Sequence, residues 1–146
     1  MQLSAHFTLA DFVYSDMAIR NGIDNTPTPI IIANLTKLAN KLEQVRVLFN
    51  YPIIISSGYR CLRLNRLAKG TYNSAHMLGL AADFTIPKFG TPYRVCKTIR
   101  DAKVDFDQLI LEYDSWTHLG LADKNRNEVL TKRNGTSYVP GLIAVA

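Results

Sequence analysis

The chain has 146 residues, a length that fits one domain with a real core, and 47% of the residues are hydrophobic. The formal net charge of +5 favours an anionic partner such as nucleic acid, an acidic membrane surface or an anionic cell wall. The basic residues are scattered rather than run together, which argues against a nucleic-acid groove. No apolar run approaches the ~20 residues of a membrane span, so membrane insertion is not expected.

Simple features of the sequence predict the localisation, the number of domains and the state of the two cysteines. The N-terminal segment lacks the basic region and apolar core of a signal peptide, so the protein is expected to be cytoplasmic as synthesised. Residues 1–146 show no repeat or linker and are expected to form a single domain. Cys61 and Cys96 lie in segments that read as helical, and we expect free thiols, with one bridge as the alternative.

The first predicted elements are helices. Thr8 and Asp11 have the pattern of a capping box at the head of a helix at about residues 8–20. Thr28 precedes a proline in the manner of an N-cap, and a long core helix should run from there to about Asn50. Its apolar stripe predicts packing rather than chemistry, and comprises Leu35, Leu38, Leu42, Val45 and Phe49.

Two strands follow in the middle of the chain. Residues 51–56 form a β-branched run that predicts a short buried strand, and Arg60 is displayed just beyond its end. A second strand begins at about Ala81, after the loop that contains His76. Because side chains alternate along a strand, Asp83 should face a cleft while its neighbours face the core. Those core residues are Ala82, Phe84 and Ile86.

The last third of the chain predicts a hairpin. Residues 106–113 and 116–121 read as two strands joined by a turn, and their aliphatic faces should belong to the core. Glu112 and His118 then face the same cleft as Asp83. Short helices are expected at 62–68 and 92–102, and residues 122–146 should form a closing hairpin or tail.

The residues predicted to face the cleft are of types that bind metal ions and transfer protons. His76, Asp83 and His118 supply three nitrogen or oxygen ligands, a set that suits a tetrahedral zinc ion with one open position. Glu112 could move a proton, and Arg60 could hold a substrate carboxylate or a developing oxyanion. The zinc ligands, the proton carrier and the arginine are all groups that can serve in amide hydrolysis. From the residues alone, a core histidine with a hydrogen-bonded aspartate is the alternative interpretation.

Several segments resemble a known family. They are S-G-Y-R (57–60), S-A-H with Gly79, Ala81 and Asp83 (74–83), F-D-Q-L-I (106–110) and W-T-H (116–118). These segments, with the opening LSAHFTLADF and the GIDN turn, resemble the zinc D-alanyl-D-alanine carboxypeptidase family over about residues 1–125. The resemblance is greater still to its small phage and prophage members.

The resemblance implies an α+β fold, with helices packed on one side of a small antiparallel sheet and a zinc cleft on the other face. It implies zinc bound by His76, Asp83 and His118, and a transition-state arginine at Arg60. Ser74 matches a serine of the family that orients the site or touches substrate. The implied activity is cleavage of peptide bonds in peptidoglycan stem peptides.

The chain departs from the family at the catalytic acid. Many relatives carry it three residues before the last zinc histidine, where this chain has Ser115. Strand parity favours Glu112 as the base, and Asp114 in the turn is the reserve candidate. His6, far from the other candidates, is expected to be structural or exposed.

The sequence therefore predicts a monomeric zinc peptidase of the cell wall, such as a phage endolysin or a prophage wall-modifying enzyme. One alternative is a D-Ala-D-Ala carboxypeptidase or dipeptidase that trims free termini without lysis. A second is a non-catalytic phage or wall-binding module that keeps the fold. A basic nucleic-acid binder is the third, and the prediction is that nucleic acid is not a partner.

Overall fold

The N-terminal region contains two short helices where the sequence predicted one. The computed structural model describes residues 1–145. The capping box of Thr8 and Asp11 is present and begins α1 at Leu9–Val13. Ser15 then caps a separate helix, α2, at Asp16–Arg20, by accepting a hydrogen bond from its backbone. The single helix predicted for 8–20 was wrong because the backbone at Tyr14 and Ser15 leaves the helical conformation.

The long core helix is confirmed. Helix α3 spans Pro29–Phe49, with Thr28 as its N-cap and Asn50 in the left-handed conformation as its C-cap. The side chains of the predicted stripe are buried: Leu35, Leu38, Leu42, Val45 and Phe49. They contribute a large part of the hydrophobic core.

The remaining elements complete an α+β fold. Two further α-helices occur in residues 1–145, α4 at Leu62–Leu67 and α5 at Pro92–Asp101. The described strands are β1 (Ile54–Ser57), β2 (Ala81–Thr85), β3 (Gln108–Glu112), β4 (Trp116–Gly120), β5 (Glu128–Lys132) and β6 (Val139–Pro140). Within the described chain they form one sheet in the order β1-β2-β4-β3-β5-β6. The pairings are antiparallel except that β5 runs parallel to β3.

The sheet separates an apolar core face from a face with polar residues, as strand parity predicted. One face packs against α3 and α5 and carries fully buried side chains of β2, β3 and β4: Ala82, Phe84, Leu109, Leu111 and Leu119. The other face carries Asp83 and His118, which are direct neighbours across β2 and β4. The helices therefore cover one side of the sheet and leave the polar residues on the other.

The prediction that the first strand is buried was wrong. β1 is the edge strand of the sheet, and Ile54 is 54% exposed. The β-branched run reads as a buried strand because isoleucine favours strands, but propensity does not distinguish an edge from a centre. The pairing of β1 with β2 is irregular between Ile55 and Ser57, and a bulge of this kind bends the strand end that leads to Arg60.

The C-terminal segment forms the predicted hairpin, but its position was not anticipated. β5 and β6 pair with each other, and β5 extends the sheet on the side of β3. Cys61 is the N-cap of α4 rather than a helical residue, Cys96 lies in α5, and both thiols in the described chain are free. Among the described helices, none has the length and apolar character needed to cross a membrane.

Candidate metal centre

His76 is presented by a tightly turned loop. A short 3-10 helix at Ala75–Leu78 begins at Ser74, whose hydroxyl accepts a hydrogen bond from the His76 backbone N–H. Gly79 ends this helix with φ of 71°, and a side chain there would lie 3.0 Å from the backbone oxygen of Ile31 in α3. The loop is thereby packed against α3, and the His76 side chain is almost wholly buried.

The three candidate ligands converge on one carboxylate oxygen. Asp83 Oδ1 lies 2.9 Å from His118 Nδ1 and 3.2 Å from His76 Nε2. The ligand atoms of His76, Asp83 and His118 all lie within 4.8 Å of one another, and all three residues are buried. Two imidazoles and a carboxylate at this spacing are a donor set that zinc takes in proteins. The group could therefore hold a metal ion.

The carbonyl of Gly58 fixes the orientation of His76. Its oxygen lies 2.7 Å from His76 Nδ1, so that nitrogen donates a hydrogen bond and Nε2 faces Asp83. In metal-binding histidines, an acceptor that bonds to the ring nitrogen not facing the metal sets the tautomer. Gly58 is required at this point because a Cβ there would lie 2.4 Å from the backbone oxygen of Phe12.

The protonation behaviour of His76 and Asp83 suits a metal site. Burial lowers the pKa of His76, which favours the neutral imidazole that binds metal. Burial acts against the charged form of Asp83, yet the positive charges and hydrogen bonds of the two histidines hold its pKa far below the usual range. Burial also acts against charged His118, but the hydrogen bond and charge of Asp83 raise its pKa overall. Asp83 therefore stays ionised.

Glu112 lies next to the ligand group. Its Oε1 is 3.7 Å from His118 Nδ1, and its side chain is largely buried. Burial, and then the negative charge of Asp83, raise the pKa of Glu112. A carboxylate with a raised pKa can accept and return a proton near neutral pH.

Asp114 has different surroundings. Its carboxylate accepts two hydrogen bonds of 2.8 Å from the guanidinium of Arg133, which lower its pKa. Tyr113 and Asp114 both have positive φ in the hairpin turn between β3 and β4. Ser115 donates its hydroxyl to the Tyr113 carbonyl in the same turn.

Arg60 lies at the other side of the group. Its backbone N–H donates to the His76 carbonyl at 3.1 Å, and its Nη2 lies 3.5 Å from the Ser74 hydroxyl. Burial lowers the pKa of Arg60, while the charges of Asp83 and Glu112 act in the opposite direction. Its buried Nε has no hydrogen-bond partner among the described residues, so a donor is available for an anionic ligand.

Two supporting residues were not foreseen as parts of the site. Asn25, which the sequence marked only as part of a turn, is buried and bonds to the backbone on both sides of Arg60. The Gly58 carbonyl has no signature of its own in the sequence. His6 lies outside the ligand group and pairs with Glu43 at 2.7 Å, as expected for a structural histidine.

Comparison with known proteins gives the family. The Peptidase M15 family model matches residues 5–120, a range that contains every residue of the metal centre described above. This chain belongs to the Peptidase M15 family. No curated protein matches the chain significantly.

Membership of the M15 family establishes the general chemistry. M15 peptidases are zinc-dependent hydrolases that act on peptides of the peptidoglycan type. The buried His–Asp–His group is a donor set that fits zinc, and this M15 chain is therefore a metallopeptidase with zinc as its cofactor.

Proposed function

We propose that this M15 chain hydrolyses peptide bonds in the stem peptides of bacterial peptidoglycan, as a phage endolysin or a prophage wall-modifying enzyme. One observation carries the proposal. The ligand atoms of His76, Asp83 and His118 lie within 4.8 Å of one another, with the carboxylate of Glu112 3.7 Å from His118. This grouping supports amide hydrolysis because it combines a metal-binding donor set with a buried proton acceptor.

His76, Asp83 and His118 would hold the zinc ion, through His76 Nε2, the Asp83 carboxylate and His118 Nδ1. Bound zinc supplies Lewis-acid chemistry, which activates water and polarises the carbonyl of the scissile amide. The carbonyl of Gly58 keeps His76 in the required tautomer throughout.

Glu112 is the proposed general base. Its carboxylate takes the proton from the attacking water and delivers it to the nitrogen of the leaving amine. Arg60 is the proposed partner of the negative charge that develops on the carbonyl oxygen, since its buried Nε is without a partner in the described chain. Ser74 is proposed to orient both Arg60 and His76 through its hydroxyl and to contact substrate.

The positive net charge supports action on the cell wall. A charge of +5 attracts the protein to anionic wall polymers and raises its local concentration at the substrate. The enzyme is proposed to act as a monomer, after release or delivery to the wall.

Digestion of purified sacculi, with mass spectrometry of the products, tests the proposal. New amino groups on internal stem residues are expected for an endopeptidase, whereas release of D-alanine alone would assign the carboxypeptidase alternative. The Glu112→Gln protein is the matched control and should release neither product. A zinc-loaded wild-type protein that produces no new termini would contradict the proposal and leave a non-catalytic wall-binding module.

A further inference from the structure

The C-terminal hairpin brings a lysine alongside the proposed base. β5 and β6 lie beyond residues 5–120, the range matched to the family. β5 pairs in parallel with β3 so that Lys132 is the direct neighbour of Glu112. Directly paired residues project from the same face of a sheet, so Lys132 shares the cleft face with Glu112. Its positive charge acts against the rise in the pKa of Glu112, which is consistent with this proximity.

A tyrosine just before β6 lies beside Lys132. Val139 of β6 pairs with Thr131 of β5, and the antiparallel register therefore sets Tyr138 beside Lys132. The Lys132 ammonium lies 5.6 Å from the centre of the Tyr138 ring. It also donates a hydrogen bond to the carbonyl of Thr136 in the connecting turn. Lys132 therefore contacts both the Tyr138 ring and the turn that precedes β6.

Both groups can donate hydrogen bonds into the cleft. An ammonium has three donors, of which Thr136 accepts one, so donors remain for a ligand. Burial raises the pKa of Tyr138, and the negative charges of Glu112 and Asp83 act in the same direction. The phenol is therefore protonated at neutral pH and is a donor as well.

We propose that Lys132 and Tyr138 form a subsite that binds a carboxylate of the substrate peptide. The inference rests on the proposed peptidase function and names the class of substrate, an anionic peptide. Arg60 follows β1 at one edge of the sheet, whereas Lys132 and Tyr138 belong to the β5–β6 side. The cleft thus carries donors on both sides of the metal ligands and Glu112. A bound peptide would extend across the sheet with its scissile bond between them.

Two stem-type peptides test the subsite, one with free side-chain carboxylates and one with the same groups amidated. Trp116 is the one tryptophan of the chain and pairs with Glu112 on the cleft face, so its fluorescence reports binding to the zinc-loaded protein. Lys132→Ala should weaken binding of the free-carboxylate peptide roughly tenfold and raise KM, with kcat little changed, since a charge-assisted hydrogen bond is lost. Tyr138→Phe should have a smaller effect in the same direction.

The controls separate the subsite from other roles. Lys124→Ala removes an exposed lysine from the loop before β5, and Tyr14→Phe changes an exposed phenol outside the cleft; neither should alter binding. Lys132→Gln keeps the side-chain length if the alanine variant is less stable, and should also weaken binding. The amidated peptide should bind wild type and Lys132→Ala alike.

Two results would overturn the subsite. If Lys132→Ala lowers kcat and shifts the pH profile while binding is unchanged, Lys132 acts through Glu112 and not on substrate. If wild type cleaves both peptides and Lys132→Ala weakens neither or both equally, the subsite alone is wrong. Wild-type protein that neither binds nor cleaves either peptide would refute the proposed function and the subsite together.

Discussion

At the scale of single residues, Glu112 and Asp114 differ in the partners of their carboxylates. Glu112 is buried beside His118, and its pKa is raised by that burial and by Asp83. Asp114 is bound by both arms of the Arg133 guanidinium, and its pKa is lowered. A carboxylate held in such an ion pair is a poor proton acceptor. The surroundings therefore favour Glu112 as the base.

Glu112→Gln should keep zinc and fold but reduce kcat by roughly 10²–10⁴-fold, the usual contribution of a general base. Asp114→Asn is the matched control and should retain most turnover, since its carboxylate is occupied by Arg133. Zinc content, circular dichroism and kcat on stem-type peptides provide the measurements. A large loss of kcat in Asp114→Asn, with Glu112→Gln active, would reverse the assignment.

Strand parity predicted that two of the three candidate ligands share one face of the sheet. Asp83 and His118 were placed on one face by alternation alone, and they are direct neighbours in the sheet. The Gly58 carbonyl could not be predicted, since every residue has a carbonyl and only the tertiary fold brings this one to His76. The base remained open between Glu112 and Asp114 because sequence does not show the partner of Asp114.

At the scale of elements, Asn25 joins the N-terminal helices to the segment that carries Arg60. Its side-chain amide donates to the carbonyls of Val13 and Tyr59 at 3.0 Å each. Its side-chain oxygen accepts from the backbone N–H of Cys61 at 2.8 Å. The backbone on both sides of Arg60 is therefore held by one buried side chain.

Asn25→Ala should lower the free energy of unfolding by about 2–3 kcal/mol, because buried backbone groups lose their partners. Turnover should fall as well, since Arg60 loses its support. The control is Asn21→Ala, which removes an exposed amide that bonds only within its own helix end. Urea unfolding curves compare the two, and equal midpoints would contradict the proposed role of Asn25.

Asp107 ties the start of β3 to the loop before β5. The Arg126 side chain donates two hydrogen bonds of 2.9 Å to its carboxylate and lowers the pKa of Asp107. The folded-state pKa lies below the unfolded one, so the stabilisation is present above the usual aspartate pKa of about 3.9 and is lost as pH falls through the folded value.

Asp107→Asn should therefore be less stable than wild type at pH 7, and the difference should shrink below about pH 3.9. Urea unfolding at neutral and acid pH measures the difference. Asp123→Asn changes an exposed aspartate in the same loop and should differ little from wild type at either pH. A difference for Asp107→Asn that grows as pH falls would contradict the sign of the shift.

Local signals predicted the helix ends well. The caps at Thr8 and Thr28 and the helix end near Asn50 depend on neighbouring residues, which the sequence displays. The break at Ser15 was missed because a serine can either continue a helix or cap a new one. The edge position of β1 was missed because it depends on pairing with distant segments.

At the scale of the whole molecule, the two faces of the sheet have different roles. Its helix-covered face supplies the core, and its other face carries the candidate ligands Asp83 and His118 together with Glu112. The α+β fold class was implied by the family resemblance and is confirmed by the structure. The parallel pairing of β5 with β3 was not predicted, because a long-range register has no local signature. The proximity of Lys132 to Glu112 depends on that pairing and was therefore not predicted either.

The zinc content and the turnover of wild type and His76→Ala, measured on the same samples, test the central claim most directly. Wild-type protein should bind about one zinc per chain and release new termini from sacculi, and His76→Ala should lose both. His6→Ala, which changes a half-exposed histidine paired with Glu43, should keep both. A His76→Ala protein that is free of metal and fully active would contradict the zinc peptidase account.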